Sequence, residues 1–335
     1  MQVVIAGAGA LGSILGGYFA EAGADVTLLA RPAHAEAIRR EGLRVEGAYG
    51  QHRIRNLRVV TETGSIEAAD LLILAVKSYD SAAMLAALTH LTGRVGMALS
   101  VQNGGGKDEA LIAAFGAKAV VGATTLVGGA MPEPGRVVHT NNGGTWIGEL
   151  DGQSSSRIQA VADLFGQAKL PIDVRPDIQS VIWCKLNQMV PAAALSCLTR
   201  LFMHEVYLDP DLAELFVHLS REVARVAERR NIPLTDLPGF AVKSVCTLPL
   251  AEAIESVRAR GRGMLAKGMT GVRISTLQDL ERGRRTEIED TIGYVVRAAG
   301  ECGVSMPTVE LCYQVLRGVA ATHESRAASG EPRAG

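Results

Sequence analysis

A glycine-rich junction within the first thirty or so residues most constrains how this chain can fold. An apolar run is followed by Gly7, Gly9 and Gly12, then by an alanine-rich stretch at 11–22 with helical spacing, and then by a second apolar run at 25–30. In a strand–helix–strand unit, glycines at this spacing permit a tight turn, close approach of the backbone to a pyrophosphate, and close packing of the helix on the strand. The junction therefore predicts a dinucleotide-binding unit.

The loop AGAGALG is predicted to supply the phosphate-binding groups. Unpaired N–H groups and partial positive charge at a helix N-terminus attract phosphate. A flexible corner without a ligand is the alternative interpretation, because glycine is common in turns. The loop residues predicted to bind the cofactor are Gly7, Ala8, Gly9, Ala10, Leu11 and Gly12.

The end of the second predicted strand indicates which dinucleotide is bound. NAD sites usually place an acid there to bind the ribose 2′-hydroxyl, whereas this chain reads LLAR and ends on Arg31. A guanidinium suits the 2′-phosphate of NADP, and a carboxylate would repel it. The sequence therefore favours NADP(H), with an ordinary solvated arginine as the alternative for Arg31.

The pattern along the chain predicts an α/β fold with an N-terminal Rossmann-type parallel sheet and helices, followed by an all-α C-terminal domain. We predict an NADP-binding Rossmann domain at 1–175, a helical substrate and catalytic domain at 176–325, and a flexible tail at 326–335. The predicted strands are 2–6, 25–30, 57–60, 71–76, 97–101 and 119–122, with a pair of strands in 136–150. Later helices are predicted at 177–200, 209–230, 250–262 and 286–302.

Composition excludes several classes of partner. The 335 residues are 47% hydrophobic, and 34 basic residues balance 35 acidic ones to a net charge of -1. A balanced charge argues against nucleic acid and against an anionic membrane surface. The five cysteines lack CxxC spacing and the seven histidines lack metal-ligand spacing, so we expect reduced thiols, no metal and a cytoplasmic location. The apolar second half permits a homodimer.

Two polar residues directly follow predicted strands. Lys77 follows an apolar run in LAVKSYD, and Asn103 precedes three glycines in SVQNGGG. Ligands of parallel α/β sheets bind beyond the carboxyl ends of the strands, so both residues are candidates for binding cofactor or substrate. The alternatives are a solvated lysine and an ordinary Asn-Gly turn.

The second half contains further residues suited to chemistry. Lys185 lies in the apolar segment VIWCKLNQMV, where low dielectric would lower a lysine pKa and suit a proton donor. Alternatively, its stem could extend to water. Downstream, Thr286 and Glu289 fit a capping box, which would place Ser275 and Glu287 at loop–helix edges facing a cleft. A capped amphipathic helix without a functional role is the alternative.

Taken together, these segments resemble the ketopantoate reductase family. The resemblance spans nearly the whole chain and rests on AGAGALGS, AVKSYD, QNGGG, GRVVHTNNG, IWCKL and above all STLQDLERGRRTEIE. It implies a Rossmann domain followed by an all-helical domain, with the active site between them. It also implies reduction of 2-dehydropantoate to (R)-pantoate with NADPH, a step towards pantothenate.

The resemblance also implies a role for each matching residue. Lys185 matches the lysine that polarises and protonates the keto oxygen, and Glu287 matches the glutamate that helps order the cofactor and that lysine. Asn103 matches an asparagine that contacts both ligands. Ser275 matches the serine that binds the substrate carboxylate, and Lys77 matches a cofactor contact.

The chain departs from the family pattern in its substrate-binding residues. The family usually carries two asparagines four and eight residues after the lysine, and here these positions are Met189 and Ala193. Asn187 cannot readily replace them, because it lies about 200° around the helix from Lys185. The leading prediction remains 2-dehydropantoate. The alternatives are a more apolar 2-oxo acid and an NADP-binding sensor without turnover.

Overall fold

The protein divides into two compact units, and the structure, a computed structural model, describes residues 1–329. The first unit is Met1–Gln179 and the second begins at Ser180. The boundary predicted from the sequence, between 175 and 176, precedes this division by a few residues and lies just before a helix that begins at Ile178.

The first unit is built on a five-stranded parallel sheet. Its strands are β1 (Gln2–Ala6), β2 (Asp25–Leu29), β5 (Arg58–Val60), β6 (Ala69–Leu74) and β7 (Val95–Ser100), in the order β5-β2-β1-β6-β7. Strands β1 and β6 are almost entirely buried, because helices cover both faces of a sheet of this kind. The strand order reverses at β1, where a Rossmann-type sheet binds its ligand.

A second sheet lies beside the first and was only partly predicted. It contains β3 (Leu43–Gly47), β4 (Gly50–Ile54), β8 (Gly122–Glu133), β9 (Arg136–Gly148) and β10 (Ile172–Val174). The two strands predicted within 136–150 are wrong, since β9 is one long strand that pairs with β8 through several register shifts. The β3–β4 hairpin was not predicted. The strand predicted at 119–122 is replaced by a 3-10 turn and a single bridge from Val120 to Ala98.

Helices of the first unit pack on these sheets, and the described residues of the second unit form helices joined by loops, with one isolated bridge between Leu237 and Phe240. The helices of the first unit are α1 (Ala10–Glu21), α2 (Pro32–Glu41), α3 (Ser81–Ala87), α4 (Lys107–Phe115) and α5 (Ser156–Gln167). The remaining helices are α6 (Ile178–Thr199), α7 (Met203–Leu208), α8 (Pro210–Arg229), α9 (Val242–Thr247), α10 (Leu250–Ala266), α11 (Ser275–Glu281), α12 (Ile292–Cys302) and α13 (Pro307–Ser329). An α/β part followed by a helical part confirms the predicted fold class.

Helix α6 is the central helix of the second unit. It is long and apolar enough to cross a membrane by length and composition, but 89% of its most apolar window is buried inside the protein. Burial of this kind is typical of a core helix. Its side chains Trp183, Leu186 and Val190 join a large apolar cluster with residues of α8, α11 and α12.

The capping box predicted at Thr286 and Glu289 is wrong. Residues 288–291 form a turn in which Ile288 and Thr291 are buried and Glu289 is exposed, and α12 begins only at Ile292. Thr291 closes the turn, because its N–H and its hydroxyl both donate to the Glu287 carbonyl at 3.1 and 2.8 Å. The Glu289 carboxylate instead accepts from the Tyr313 hydroxyl at 2.5 Å.

The final helix overlaps the predicted tail. Helix α13 reaches Ser329, so the first residues of the segment 326–335 are helical, while 330–335 lie outside the described residues. Flexibility of that segment stays a prediction.

Candidate functional site

The three loop glycines occupy three different steric environments. Gly7 has φ +110°, and a Cβ built there would lie 2.5 Å from the Val76 nitrogen. A Cβ on Gly12 would clash with the Gly7 carbonyl and with Ile5 of β1. A Cβ on Gly9 would meet no protein atom within 4 Å. Gly7 and Gly12 are therefore needed for the turn and for helix packing, while Gly9 leaves an open cradle suited to a pyrophosphate.

Backbone hydrogen bonds show which loop amides a ligand can use. Ala8 N–H donates to the Leu29 carbonyl at 2.8 Å, and Gly9 N–H donates to the Gly7 carbonyl at 2.9 Å. The first helical bond runs from Ser13 N–H to the Gly9 carbonyl at 2.9 Å. The preceding helical amides, at Ala10, Leu11 and Gly12, are the N-terminal donors that an α-helix leaves to other partners.

Arg31 lies at the N-terminus of α2, immediately after β2. Its side chain is 90% exposed, and its guanidinium lies 3.5 Å from the Asp80 carboxylate. The pair is too exposed to contribute much stability. The pair matters for its position, because it places the Asp80 carboxylate beside Arg31, the cation predicted to recognise a 2′-phosphate. The sequence analysis did not identify Asp80.

Lys77 follows β6 in the segment that packs against the glycine loop. Its neighbour Val76 is the residue that leaves no room for a side chain at Gly7, and Ala75 N–H donates to the Ala6 carbonyl at 2.9 Å. Lys77 is half-buried at the start of a 3-10 turn over Ser78–Asp80. The backbone thus places Lys77 directly after the segment that contacts the glycine loop.

Asn103 follows β7 and is positioned by a neighbour that the sequence analysis did not single out. The buried Gln102 amide donates to the Val76 carbonyl at 2.8 Å and to the Ser81 hydroxyl at 2.7 Å. It thereby ties the end of β7 to the end of β6. Next to it, Asn103 is half-buried, and Gly104 has φ +94°. Gln102 sits within the quoted QNGGG, but nothing in one sequence shows that its partners lie on another strand.

The first unit therefore gathers its predicted residues at one edge of the parallel sheet. The glycine loop, Arg31, Lys77 and Asn103 follow β1, β2, β6 and β7, which are four adjacent parallel strands. Carboxyl ends of adjacent parallel strands share an edge, and this edge flanks the point where strand order reverses. An open cradle and helix-terminal amides at this edge fit the pyrophosphate of a dinucleotide.

Lys185 lies on the core helix α6 and is only 7% exposed. Met189 and Ala193 follow at four and eight residues, so they share its face of the helix. Asn187 is buried elsewhere, and its amide donates to the Ser220 carbonyl at 2.8 Å. Asn187 therefore serves the helix packing and does not replace the asparagines that the family carries on the Lys185 face.

Glu287 and Ser275 lie in the same helical unit as Lys185 but differ in exposure. Glu287 is only 5% exposed within the turn before α12, whereas Ser275 is exposed as the first residue of α11. The adjoining residues Leu186, Ile288 and Leu277 belong to one apolar cluster. Buried charged groups retained in a helical core require partners and commonly mark functional sites.

The cysteines and the possible metal ligands can be located within the described residues. All five cysteines are free thiols, three buried and two half-buried. Their reduced state in the cell stays a prediction. Within residues 1–329, no group of three or more His, Cys, Asp or Glu side chains is placed to hold a metal ion.

Comparison with known sequences covers both units. The family described as "Ketopantoate reductase PanE/ApbA" matches residues 3–152, and "Ketopantoate reductase PanE/ApbA C terminal" matches residues 177–320. A 2-dehydropantoate 2-reductase from Archaeoglobus fulgidus is 31% identical over 95% of this chain and 97% of its own length.

Solved structures share the fold over nearly the whole chain. A PanE/ApbA family ketopantoate reductase from Ralstonia eutropha JMP134 is 28% identical, with a TM-score of 0.82 over 97% of this chain and 100% of that one. D-mandelate dehydrogenase in complex with NADH and anilino(oxo)acetate is 20% identical, with a TM-score of 0.82 over 96% and 99% of the two chains. The latter likeness concerns the fold alone.

Proposed function

The chain belongs to the ketopantoate reductase family and is an oxidoreductase acting on CH–OH groups, and we propose that it reduces a 2-oxo acid with NADPH. The leading substrate is 2-dehydropantoate, which would yield (R)-pantoate for pantothenate biosynthesis in the cytoplasm. The observation that carries this proposal is the full-length similarity to a 2-dehydropantoate 2-reductase, with 95% of this chain aligned.

The coenzyme site proposed for NADP(H) follows from the carboxyl edge of the parallel sheet. The open cradle at Gly9 and the amides of Ala10 to Gly12 would hold the pyrophosphate. Arg31 would bind the 2′-phosphate, with Lys77 as a second cation for the phosphates or ribose. The coenzyme, when bound, supplies the hydride that reduces the keto carbon.

The protein's own residues handle the substrate and the proton. Lys185 holds a proton on Nζ, polarises the keto oxygen and donates that proton as the oxygen gains charge. Glu287 orients Lys185 and the coenzyme, and Ser275 binds the substrate carboxylate. The Asn103 amide orients both ligands. Proton and hydride delivery require these groups to be held in alignment with the keto carbon.

A second candidate substrate is a more apolar 2-oxo acid. Met189 and Ala193 make the helix face around Lys185 apolar where family members usually present amides. A site that hydrogen-bonds a substrate hydroxyl discriminates strongly, whereas an apolar wall discriminates weakly between similar side chains. This face favours substrates whose distal part is branched or aromatic.

A substrate panel tests the proposal. Purified protein is mixed with NADPH, and loss of NADPH absorbance is followed with 2-dehydropantoate, 4-methyl-2-oxopentanoate and phenylpyruvate. Turnover highest with 2-dehydropantoate supports the leading assignment, and turnover highest with an apolar acid supports the second. Tight NADPH binding without turnover of any 2-oxo acid would instead support a sensor and contradict a reductase.

A further inference from the structure

A pocket of about 300 Å³ lies inside the helical unit, among α6 to α10 and the loop that precedes α9. Its lining is mainly apolar, with Phe216, Leu237, Phe240 and Val245 contributing. This volume is at the lower end of the range for small-molecule pockets. Lys185, Glu287 and Ser275 do not line it.

One cation, Arg260, stands at the wall of this pocket. Its guanidinium carbon lies 4.9 Å from the centre of the Tyr207 ring and 5.5 Å from that of Phe240. Its Nη1 donates to the Gln188 amide oxygen at 2.6 Å. Among residues 1–329 it forms no ion pair with a carboxylate. The rings and the amide therefore hold a positive charge whose counter-ion the described chain does not provide.

The hydrogen bonds around Arg260 leave donors available to a ligand. The Gln188 oxygen accepts from Arg260, and the Gln188 nitrogen donates to the Tyr207 oxygen at 2.8 Å. Both the oxygen and the nitrogen of the Gln188 amide are thereby hydrogen-bonded. The Tyr207 hydroxyl accepts from Gln188 and can still donate its own hydrogen to a ligand. Burial raises the pKa of the Tyr207 phenol, so it stays protonated. The other Arg260 N–H groups are donors too, and this chemistry suits an anion.

A single carboxylate also lines the pocket. Asp236 accepts from the Ser244 N–H at 3.1 Å and from the Ser244 hydroxyl at 2.6 Å. Both oxygens of Asp236 are thus held by the start of α9. Its charge is partly offset there, and it forms no ion pair with Arg260.

We propose that this pocket binds a small carboxylate with an aromatic or branched apolar body. The anionic end lies against Arg260 and Tyr207, and the body fills the space lined by Phe216, Leu237 and Val245. The site is separate from the proposed reductase chemistry, because Lys185, Glu287 and Ser275 are not among the residues that line it. Binding there requires no turnover.

Isothermal titration of the full-length protein with 3-phenylpropionate tests the site. This probe carries the carboxylate and an aromatic body, but it has no keto group to reduce. The neutral analogue 3-phenylpropanamide should bind at least tenfold more weakly, because it has no negative charge to pair with the Arg260 guanidinium. Lys185→Ala should bind the probe as the wild type does, which separates this site from the reductase site.

Two variants and a matched control locate the binding. Arg260→Met should weaken 3-phenylpropionate binding at least tenfold, whereas Arg262→Met should change it less than twofold. Arg262 lies on the same helix and loses the same charge, but it pairs with Glu255 at the surface. Ser256→Phe narrows the pocket without removing charge and should also weaken binding, which decides the question if Arg260→Met does not fold.

Several outcomes would overturn the proposal. A lack of 3-phenylpropionate binding to the wild-type protein at millimolar concentration would contradict it. Unchanged binding in Ser256→Phe, or equal losses in Arg260→Met and Arg262→Met, would show that the probe binds elsewhere or responds only to net charge.

Discussion

Val76 leaves no space for a side chain on Gly7: a Cβ there would lie 2.5 Å from the Val76 nitrogen. This contact joins the glycine loop after β1 to the segment after β6. It therefore fixes the loop relative to Lys77, the residue that follows Val76. Gly9, two residues along, has open space where its side chain would be.

Alanine substitutions at Gly7 and Gly9 should have different effects, the first on protein stability and the second on coenzyme binding. Gly7→Ala places a methyl group against Val76 at φ +110°, so it should destabilise the protein by about 1–3 kcal/mol or more. Gly9→Ala should change the free energy of unfolding by less than about 0.5 kcal/mol. It should nevertheless weaken NADPH binding at least tenfold, because the methyl group fills the cradle. Urea unfolding and NADPH titration measure the two effects; unchanged NADPH affinity in Gly9→Ala would contradict the cradle.

The pairing of Asp80 with Arg31 predicts a change in coenzyme preference. Asp80→Asn removes a negative charge 3.5 Å from the Arg31 guanidinium, so NADPH affinity should rise two- to tenfold while NADH affinity stays the same. The gain should shrink at high salt, since both groups are exposed. Arg31→Asp is the opposing control and should weaken NADPH far more than NADH. Equal effects on both coenzymes would place the 2′-phosphate elsewhere.

The apolar side chain of Met189 suggests a substitution that should change the preference between 2-oxo acid substrates. Met189→Asn restores an amide on the face of Lys185 and should raise kcat/KM for 2-dehydropantoate relative to 4-methyl-2-oxopentanoate at least tenfold. Met189→Leu keeps the apolar volume and should leave this ratio within about twofold. Steady-state kinetics with both substrates measure the ratio. A ratio that Met189→Asn does not move would show that this face does not contact the substrate side chain.

Two buried histidines predict how stability depends on pH. Burial lowers the pKa of His34 and of His139 below 6.5, so the unfolded chain binds their protons before the folded protein does. The contribution of these two groups to the free energy of unfolding is complete above about pH 6.5. It is lost as pH falls, by up to about 1.4 kcal/mol per pH unit for each group. His52 opposes them, because its hydrogen bond to Glu21 raises its pKa.

Urea midpoints at pH 7.5 and 5.5 measure this balance. His34→Gln should flatten the loss of stability below pH 6.5, and His52→Gln should steepen it. His34 accepts from Gly135 N–H at 2.8 Å and contacts the Ser13 hydroxyl at 3.0 Å, so its substitution also lowers stability at neutral pH. The same slope in all three proteins would show that other groups set the pH dependence.

The parallel sheet was predictable because its strands are buried on both faces. The apolar runs of β1, β2, β6 and β7 stand out between polar and glycine-rich segments, and the glycine motif fixes their order. The β3–β4 hairpin is short and mixed in character, and its pairing with β9 depends on residues far along the chain. The long strand β9 contains NNGG, which locally indicates a turn. Pairing with β8 overrides that local preference.

The positions of the candidate site residues were predictable to different degrees. Gly7 and Gly12 followed from local geometry, and Lys77 and Asn103 followed from their places at strand ends. The roles proposed for Lys185, Ser275 and Glu287 came from resemblance, because no spacing along the chain relates three distant helical segments. Asp80 and Gln102 were missed, since their importance depends on partners that only folding brings near. The false capping box shows that a local motif yields to tertiary contacts, since Thr286 is buried and the exposed Glu289 accepts a hydrogen bond from Tyr313.

Lys185→Ala, assayed for both turnover and NADPH affinity, tests the central claim most directly. The Lys185 ammonium is proposed to act on charge that develops in the transition state, so kcat should fall at least a hundredfold while the NADPH dissociation constant changes less than threefold. Lys243→Ala, at an exposed lysine of the same helical unit, should leave both values unchanged. Turnover in Lys185→Ala equal to that of the wild type would contradict the account.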